Sequence, residues 1–211
     1  MVLYRKREVF SGLSIKVGML FSKLGLSPNA WTLMVILPTL ASLYFILDRQ
    51  FLMAAAFLLL SAFLDFVDGS VARVMGKVTK LGAYLDTIMD RYVEAIILLG
   101  LLFINLPDFY VPAYVWIFVF FCGSFMTTYA KAAAKEKELS DKEITGGLLE
   151  RGERLIILFA GILLAHFRLS YLTYIIVMLA ILTNVTALQR IHIAIDSART
   201  KSRLSQKEQG M

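Results

Sequence analysis

The chain has 211 residues, 58% of them hydrophobic, with a formal charge of +6 and a mean hydropathy of +0.70. That apolarity excludes an ordinary soluble domain, and a single cysteine, Cys122, excludes a disulfide framework or a cysteine metal site. The positive charge alternates with long apolar runs, so it reports on membrane topology and anionic headgroups and speaks against a nucleic-acid partner.

Residues 1–27 read as a cytoplasmic amino terminus. Over 8–24, Val9, Phe10, Leu13, Val17, Leu20, Phe21 and Leu24 are interleaved with Lys16 and Lys23, which predicts an amphipathic juxtamembrane helix lying at the interface. The first long apolar run follows nearly thirty mixed residues without a small-residue cleavage site, unlike a cleavable signal. Gly25-Leu26-Ser27-Pro28-Asn29 ends that helix, and Ser27 before Pro28 suits the start of the next.

Six apolar stretches of spanning length follow, at about 31–48, 51–72, 82–106, 112–133, 153–169 and 171–193. Short turns at Asp48-Arg49-Gln50, Asn105 to Asp108 and His166 to Ser170 make neighbouring spans antiparallel members of one bundle. The longest loop, about 134–150, carries Lys135, Asp141, Lys142, Glu143, Gly146 and Gly147. Residues 28–197 thus form the membrane domain, and 198–211 a polar, frayed tail. Lysine and arginine crowd the termini, Arg73 to Lys80 and Lys131 to Arg154, and are sparse at Arg49 and Arg168, so both termini are placed in the cytoplasm. The fold class expected is an all-α integral membrane protein: six transmembrane helices in a bundle, with the amino-terminal amphipathic helix beside it.

The chemistry is concentrated in the second and third spans. Asp65 and Asp68 end one apolar run and Asp86 and Asp90 begin the next. A spacing of three or four residues puts both acids of each pair on one helix face. The turn lies near residue 77, so the four reach similar depth on adjacent antiparallel helices near the inner face. Carboxylates so placed require neutralisation by cations or by protonation. All-oxygen ligands select hard cations, and Mg²⁺ completes its shell with substrate phosphates. Gly69, Ala72 and Gly82 leave room for a group to approach the backbone, although small residues in spans also serve helix packing, and Arg73 offers a phosphate fork. The rival class is a cation transporter whose pathway these acids line; against it, the acids cluster at one face and no polar ladder continues across.

The string Asp65-x-x-Asp68-Gly69-x-x-Ala72-Arg73, eight residues, Gly82-x-x-x-Asp86-x-x-x-Asp90 resembles the signature of the CDP-alcohol phosphotransferase family at every fixed position. The resemblance implies six transmembrane helices, frequently a homodimer, two divalent ions (Mg²⁺ or Mn²⁺), and transfer of a phosphatidyl-type group from a CDP-lipid to an alcohol with release of CMP; the basic loops and the depth of the acids put that chemistry on the cytoplasmic side of the cell membrane. By it, Asp65, Asp68, Asp86 and Asp90 bind metal, Asp90 is also the base for the acceptor hydroxyl, and Gly69, Ala72, Arg73 and Gly82 hold CDP. Pro28-Asn29-x-x-Thr32 is similar to a further family element, in which Asn29 and Thr32 touch the donor; the same residues also read simply as a helix start.

A second polar set, Thr128, Lys131, Arg151, Arg154 and Arg190, lies on the later helices. Gly147 to Leu155 and Gln189-Arg190-Ile191-His192 resemble the phosphatidylinositol phosphate synthase branch and its archaeal counterpart for ether lipids. There the corresponding basic residues grip the phosphate of inositol 1-phosphate, a small phosphorylated polyol; converging cations suit an anionic acceptor. The chain departs from the branch at Gly152, where the family has proline, and at Thr128, where it has serine. Glycerol 3-phosphate, the acceptor of a phosphatidylglycerophosphate synthase, is the alternative within the family.

Overall fold

The computed structural model describes the backbone of residues 2–139 and 147–209 and the side chains of residues 12–139 and 147–201. Asp141, Lys142, Glu143 and Gly146 of the expected loop lie outside the described residues. The described backbone is helical, with one isolated bridge between Phe109 and Val111. In order, the helices are α1 (Val2–Ser22), α2 (Pro28–Met34), α3 (Ile36–Leu47), α4 (Phe51–Val74), α5 (Lys80–Phe103), α6 (Ala113–Glu136), α7 (Arg151–Ala165) and α8 (Leu169–Gln209). The segment after 197, expected as a frayed tail, continues the backbone of α8 to Gln209.

Four of these stretches are long and apolar enough to cross a membrane: Pro28–Leu47, which joins α2 and α3, Phe51–Val74, Ala113–Glu136 and Leu169–Lys201. The chain divides into two compact units, Met1–Ile104 and Asn105–Met211.

In the first unit the start of α2 is as its sequence dictates. Ser27 is extended and its side chain accepts from the Ala30 amide at 3.2 Å, with Pro28 in the first turn. Trp31, Val67 and Val71 form a buried cluster covered by Val17 and Phe21 of α1 and by Leu26 and Leu64. The Phe21 and Trp31 rings meet edge to face at 5.4 Å. Between α3 and α4 the contact is polar as well as close: Thr39 and Ser61 share a hydrogen bond of 2.8 Å, and Ser42 donates to the Ala54 carbonyl at 2.8 Å. These hydroxyls are satisfied inside the protein, as an apolar environment requires.

The aspartate hairpin, expected as two adjacent helices, packs otherwise. The helices of the aspartate hairpin, α4 and α5, do not pack broadly on each other; each packs on α2 and α3. Gly100 of α5 permits this, since a Cβ there would stand 2.7 Å from Leu43 of α3. Hairpin connectivity fixed their order along the chain, while close packing was won by the preceding helices.

In the second unit α6 and α7 pack against α8. Gly123 allows a close approach: an added Cβ would meet Asn184 and Thr183 at 2.5 Å. The Asn184 amide donates to the Val119 carbonyl at 2.9 Å across that contact. Before α6, Asp108 accepts from the Ala113 amide at 3.0 Å, and Trp116 Nε1 donates to the Phe109 carbonyl at 2.8 Å, fixing the turn.

Candidate functional site

Three helices of the first unit bring the acid site together. The chain turns out of α4 at Gly76, whose φ of +63° favours glycine. It then enters α5 with Thr79 as cap, its hydroxyl accepting from the Gly82 amide at 3.0 Å. Asp86 and Asp90 follow one turn apart on α5, and Asp65 and Asp68 one turn apart on α4. One carboxylate oxygen from each of Asp65, Asp86 and Asp90 lies within 4.8 Å of the others. That separation brings three like charges together, a repulsion that a bound cation would relieve. Three carboxylates converging at this distance suit a hard divalent cation.

Asp68 stands slightly apart and deeper. It is only 5% exposed, faces the Thr32 side chain and the Gly69 amide, and lies within electrostatic reach of Asp65 and Asp86. The Thr32 hydroxyl sits between this carboxylate and the Pro28 carbonyl, 3.2 Å away. Oδ2 of Asp68 is buried without a hydrogen-bond donor. A buried carboxylate oxygen with no donor, beside three converging carboxylates, suits a metal ligand. The donor set therefore fits a divalent ion.

The expected CDP residues lie on α2, α4 and α5, the helices that carry Thr32 and the four acids. Asn29 Oδ1 would stand 3.3 Å from a Cβ at Gly82, and Thr79 Oγ1 3.2 Å from it, so Gly82 fills a narrow slot between two polar groups. Ala72 is half-buried on the same helix one turn beyond Asp68. A Cβ at Gly69 would rest 3.4 Å from Arg73 Nη1. Arg73 is exposed overall, yet its Nη2 donates to Ser14 Oγ at 2.8 Å.

In the second unit the basic residues are organised by one the sequence reading passed over. Thr127 is wholly buried; its Oγ1 accepts from Arg154 Nη1 at 3.1 Å and donates to the Ser124 carbonyl at 2.7 Å. Its own carbonyl accepts from Arg190 Nη1 at 2.9 Å. Arg154 and Arg190, from α7 and α8, thus meet on α6. Thr128, singled out from the sequence, is the half-buried neighbour of that residue, and Lys131 is one turn further along α6. Arg151 opens α7, which starts with a capping box between Glu150 and Glu153; the Glu150 amide donates to Glu153 at 2.8 Å. The backbone entering α7 is tied to α8, with Leu149 donating to Thr186 at 3.2 Å and Leu148 to Gln189 at 3.1 Å. Gly147 has a φ of +121°, and a Cβ there would strike Thr186. The signal for Thr127 was present in the sequence: Gly123, Ser124 and Thr127 recur at helical spacing as one small, polar stripe.

Residues 26–187 match the family model for CDP-alcohol phosphatidyltransferase. The chain belongs to this family. As a phosphatidyltransferase it is 35% identical over 178 residues to archaetidylinositol phosphate synthase of Pyrococcus horikoshii, covering 84% of this chain and 88% of the relative. Its fold is similar to that of Mycobacterium tuberculosis phosphatidylinositol phosphate synthase solved in complex with manganese and citrate. There the TM-score is 0.73 at 27% identity, covering 86% of this chain and 88% of the other. The same mycobacterial enzyme solved with CDP-DAG bound gives a TM-score of 0.72 at 26% identity, covering 86% and 92%. In this phosphatidyltransferase the signature acids from Asp65 to Asp90 are the residues the structure gathers into the candidate metal centre.

Proposed function

We propose that the protein is an integral-membrane phospholipid synthase that transfers the phosphatidyl or archaetidyl group of a CDP-lipid to inositol 1-phosphate, releasing CMP. The convergence of Asp65, Asp86 and Asp90 within 4.8 Å carries this reading for the donor side. The names of the relatives, together with Arg154 and Arg190 meeting on Thr127, support a phosphorylated polyol as acceptor. Asp65, Asp68, Asp86 and Asp90 would hold two divalent cations, Mg²⁺ or Mn²⁺, which neutralise the diphosphate and the leaving CMP.

Around them the chain's own residues act on the substrates. Asn29, Thr32, Gly69, Ala72, Arg73 and Gly82 receive the CDP portion. Lys131, Arg151, Arg154 and Arg190, with Thr128, hold the acceptor phosphate. Asp90 takes the proton of the acceptor hydroxyl. The freed oxygen attacks the phosphorus that carries the lipid, the bond from this phosphorus to the bridging oxygen breaks, and CMP leaves with the electron pair.

In the bilayer α5 and α7 supply the fifth and sixth crossings, α5 with its acids and Arg91 in the first half and an apolar second half, and α1 lies at the cytoplasmic interface. Exposed Leu13, Met19, Leu20 and Leu24 on and just after α1 support that placement. Both termini and the site face the cytoplasm on the distribution of lysine and arginine, and the enzyme works as a homodimer.

The deciding experiment follows CMP release from a CDP-lipid with inositol 1-phosphate, glycerol 3-phosphate, serine or free inositol as acceptor, with and without chelator. Metal-dependent release with inositol 1-phosphate is expected. Faster release with glycerol 3-phosphate would make the protein a phosphatidylglycerophosphate synthase. No release with any acceptor, together with cation flux into liposomes, would overturn the reading in favour of a transporter.

A further inference from the structure

We propose that Ser14 of α1 is a positioning residue for Arg73, so that the amino-terminal helix forms part of the donor site; this rests on the reading that Arg73 holds the CDP-lipid. The family match begins at residue 26, and α1 lies wholly outside it.

The hydrogen bonds fix both the partners and their direction. Ser70 Oγ donates its only proton to the Phe66 carbonyl of its own helix at 2.8 Å. In the 2.9 Å contact between Ser14 Oγ and Ser70 Oγ, the proton therefore comes from Ser14. Ser14 Oγ is left as an acceptor, and Arg73 Nη2 donates to it at 2.8 Å, with Ser70 Oγ a longer second acceptor at 3.4 Å. The result is a relay from Arg73 through Ser14 and Ser70 to Phe66. Ser14 is 7% exposed and Ser70 fully buried, while Arg73 is exposed. One end of the guanidinium is thus anchored in a dry contact while its bulk faces outward. A guanidinium has five N–H donors, so anchoring through Nη2 leaves donors for a phosphate in a fixed orientation.

A second observation shows that the contact is built closely. Gly18, one turn beyond Ser14, lies so near α4 that an added Cβ would stand 2.5 Å from the Ser70 carbonyl oxygen and 2.6 Å from Val74. The absent side chain lets α1 approach until a serine, the shortest hydroxyl, reaches Arg73. Fixing a long, rotamer-rich arginine before the substrate arrives lowers the ordering cost of binding.

The test is a set of five purified proteins in detergent: wild type, Ser14→Ala, Ser14→Thr, Arg73→Ala and the Ser14→Ala/Arg73→Ala double variant, with KM for CDP-lipid and for acceptor measured on each. Ser14→Ala is expected to raise the CDP-lipid KM about fivefold, because Ser70 substitutes only in part, and to leave the acceptor KM within about twofold. Adding Ser14→Ala to Arg73→Ala should have no further effect, and Ser14→Thr, which keeps a hydroxyl, should restore part of the loss. An unchanged CDP-lipid KM in Ser14→Ala, or an equal further loss in the Arg73→Ala background, would overturn the proposal and leave Ser14 a packing residue. An unchanged CDP-lipid KM in Arg73→Ala would instead overturn the donor role of Arg73, and this proposal with it.

Discussion

In the first unit, Asp65, Asp86 and Asp90 bring carboxylate oxygens within 4.8 Å of one another. In the second, Arg154 and Arg190 converge on the hydroxyl and the carbonyl of one buried threonine. Both regions concentrate like charge, but they manage it differently. The acids are gathered with a donor-less buried oxygen on Asp68 among them, an arrangement that a cation completes. The arginines are already fixed by neutral oxygens of Thr127, so their orientation does not wait for a ligand. Converging acids leave a repulsion that a bound cation would relieve, whereas arginines hydrogen-bonded to neutral oxygens are oriented beforehand.

The contrast is broken most sharply by Asp90→Asn. If the acid cluster is the catalytic centre, CMP release falls by about 10³-fold or more, because a base and a metal ligand are lost together. Activity near wild type in well-folded protein would mean that the cluster is not where chemistry occurs. Next in size is Gly18→Ala, which forces α1 away from α4 and should cost about 1–3 kcal/mol of stability, read as a lower unfolding temperature; no change would show that α1 does not brace the acid-bearing helix.

Thr127→Val keeps shape and removes the hydroxyl that receives Arg154. It should raise the acceptor KM about tenfold with a much smaller change in the CDP-lipid KM. Equal changes in both would discredit the division of labour between the two units. The smallest effect belongs to Gly152→Ala. Gly152 lies in the first turn of α7 with nothing within 4 Å of an added Cβ, so alanine should stabilise by about 0.5–1 kcal/mol through the unfolded chain, detected as a slightly higher unfolding temperature. A loss of acceptor affinity in this variant would tie the start of α7 to the phosphate site.

What could be read from the sequence was what depends on local spacing. The three- and four-residue intervals between the aspartates place each pair on one helical face whatever the tertiary fold, and Ser27-Pro28 starts a helix by local hydrogen bonding alone. The packing of α4 and α5 was misjudged because chain connection says who follows whom, and shape complementarity with α2 and α3 decided who touches whom. Thr127 was passed over for Thr128 because a buried threonine in an apolar run reads as packing until its partners are known. Ser14 offered even less, since its partner Arg73 is 59 residues away. The number of crossings was also less plain than apolar runs implied: α5 carries too many charges, and α7 at 15 residues is too short, to qualify by length and hydropathy.

The contact between Ser14 and Ser70 spans 56 positions of chain, and that interval has a consequence for biosynthesis. A ribosome delivers α1 well before α4 exists, so the serine and glycine face of the first helix has nothing to dock against while the next two segments are being made. Water must satisfy Ser14 during that interval, and the contact that orients Arg73 forms only when an early helix closes on a later one. The contact is thus a long-range docking of an early helix on a later one, of the kind whose formation costs chain entropy before the contact is gained.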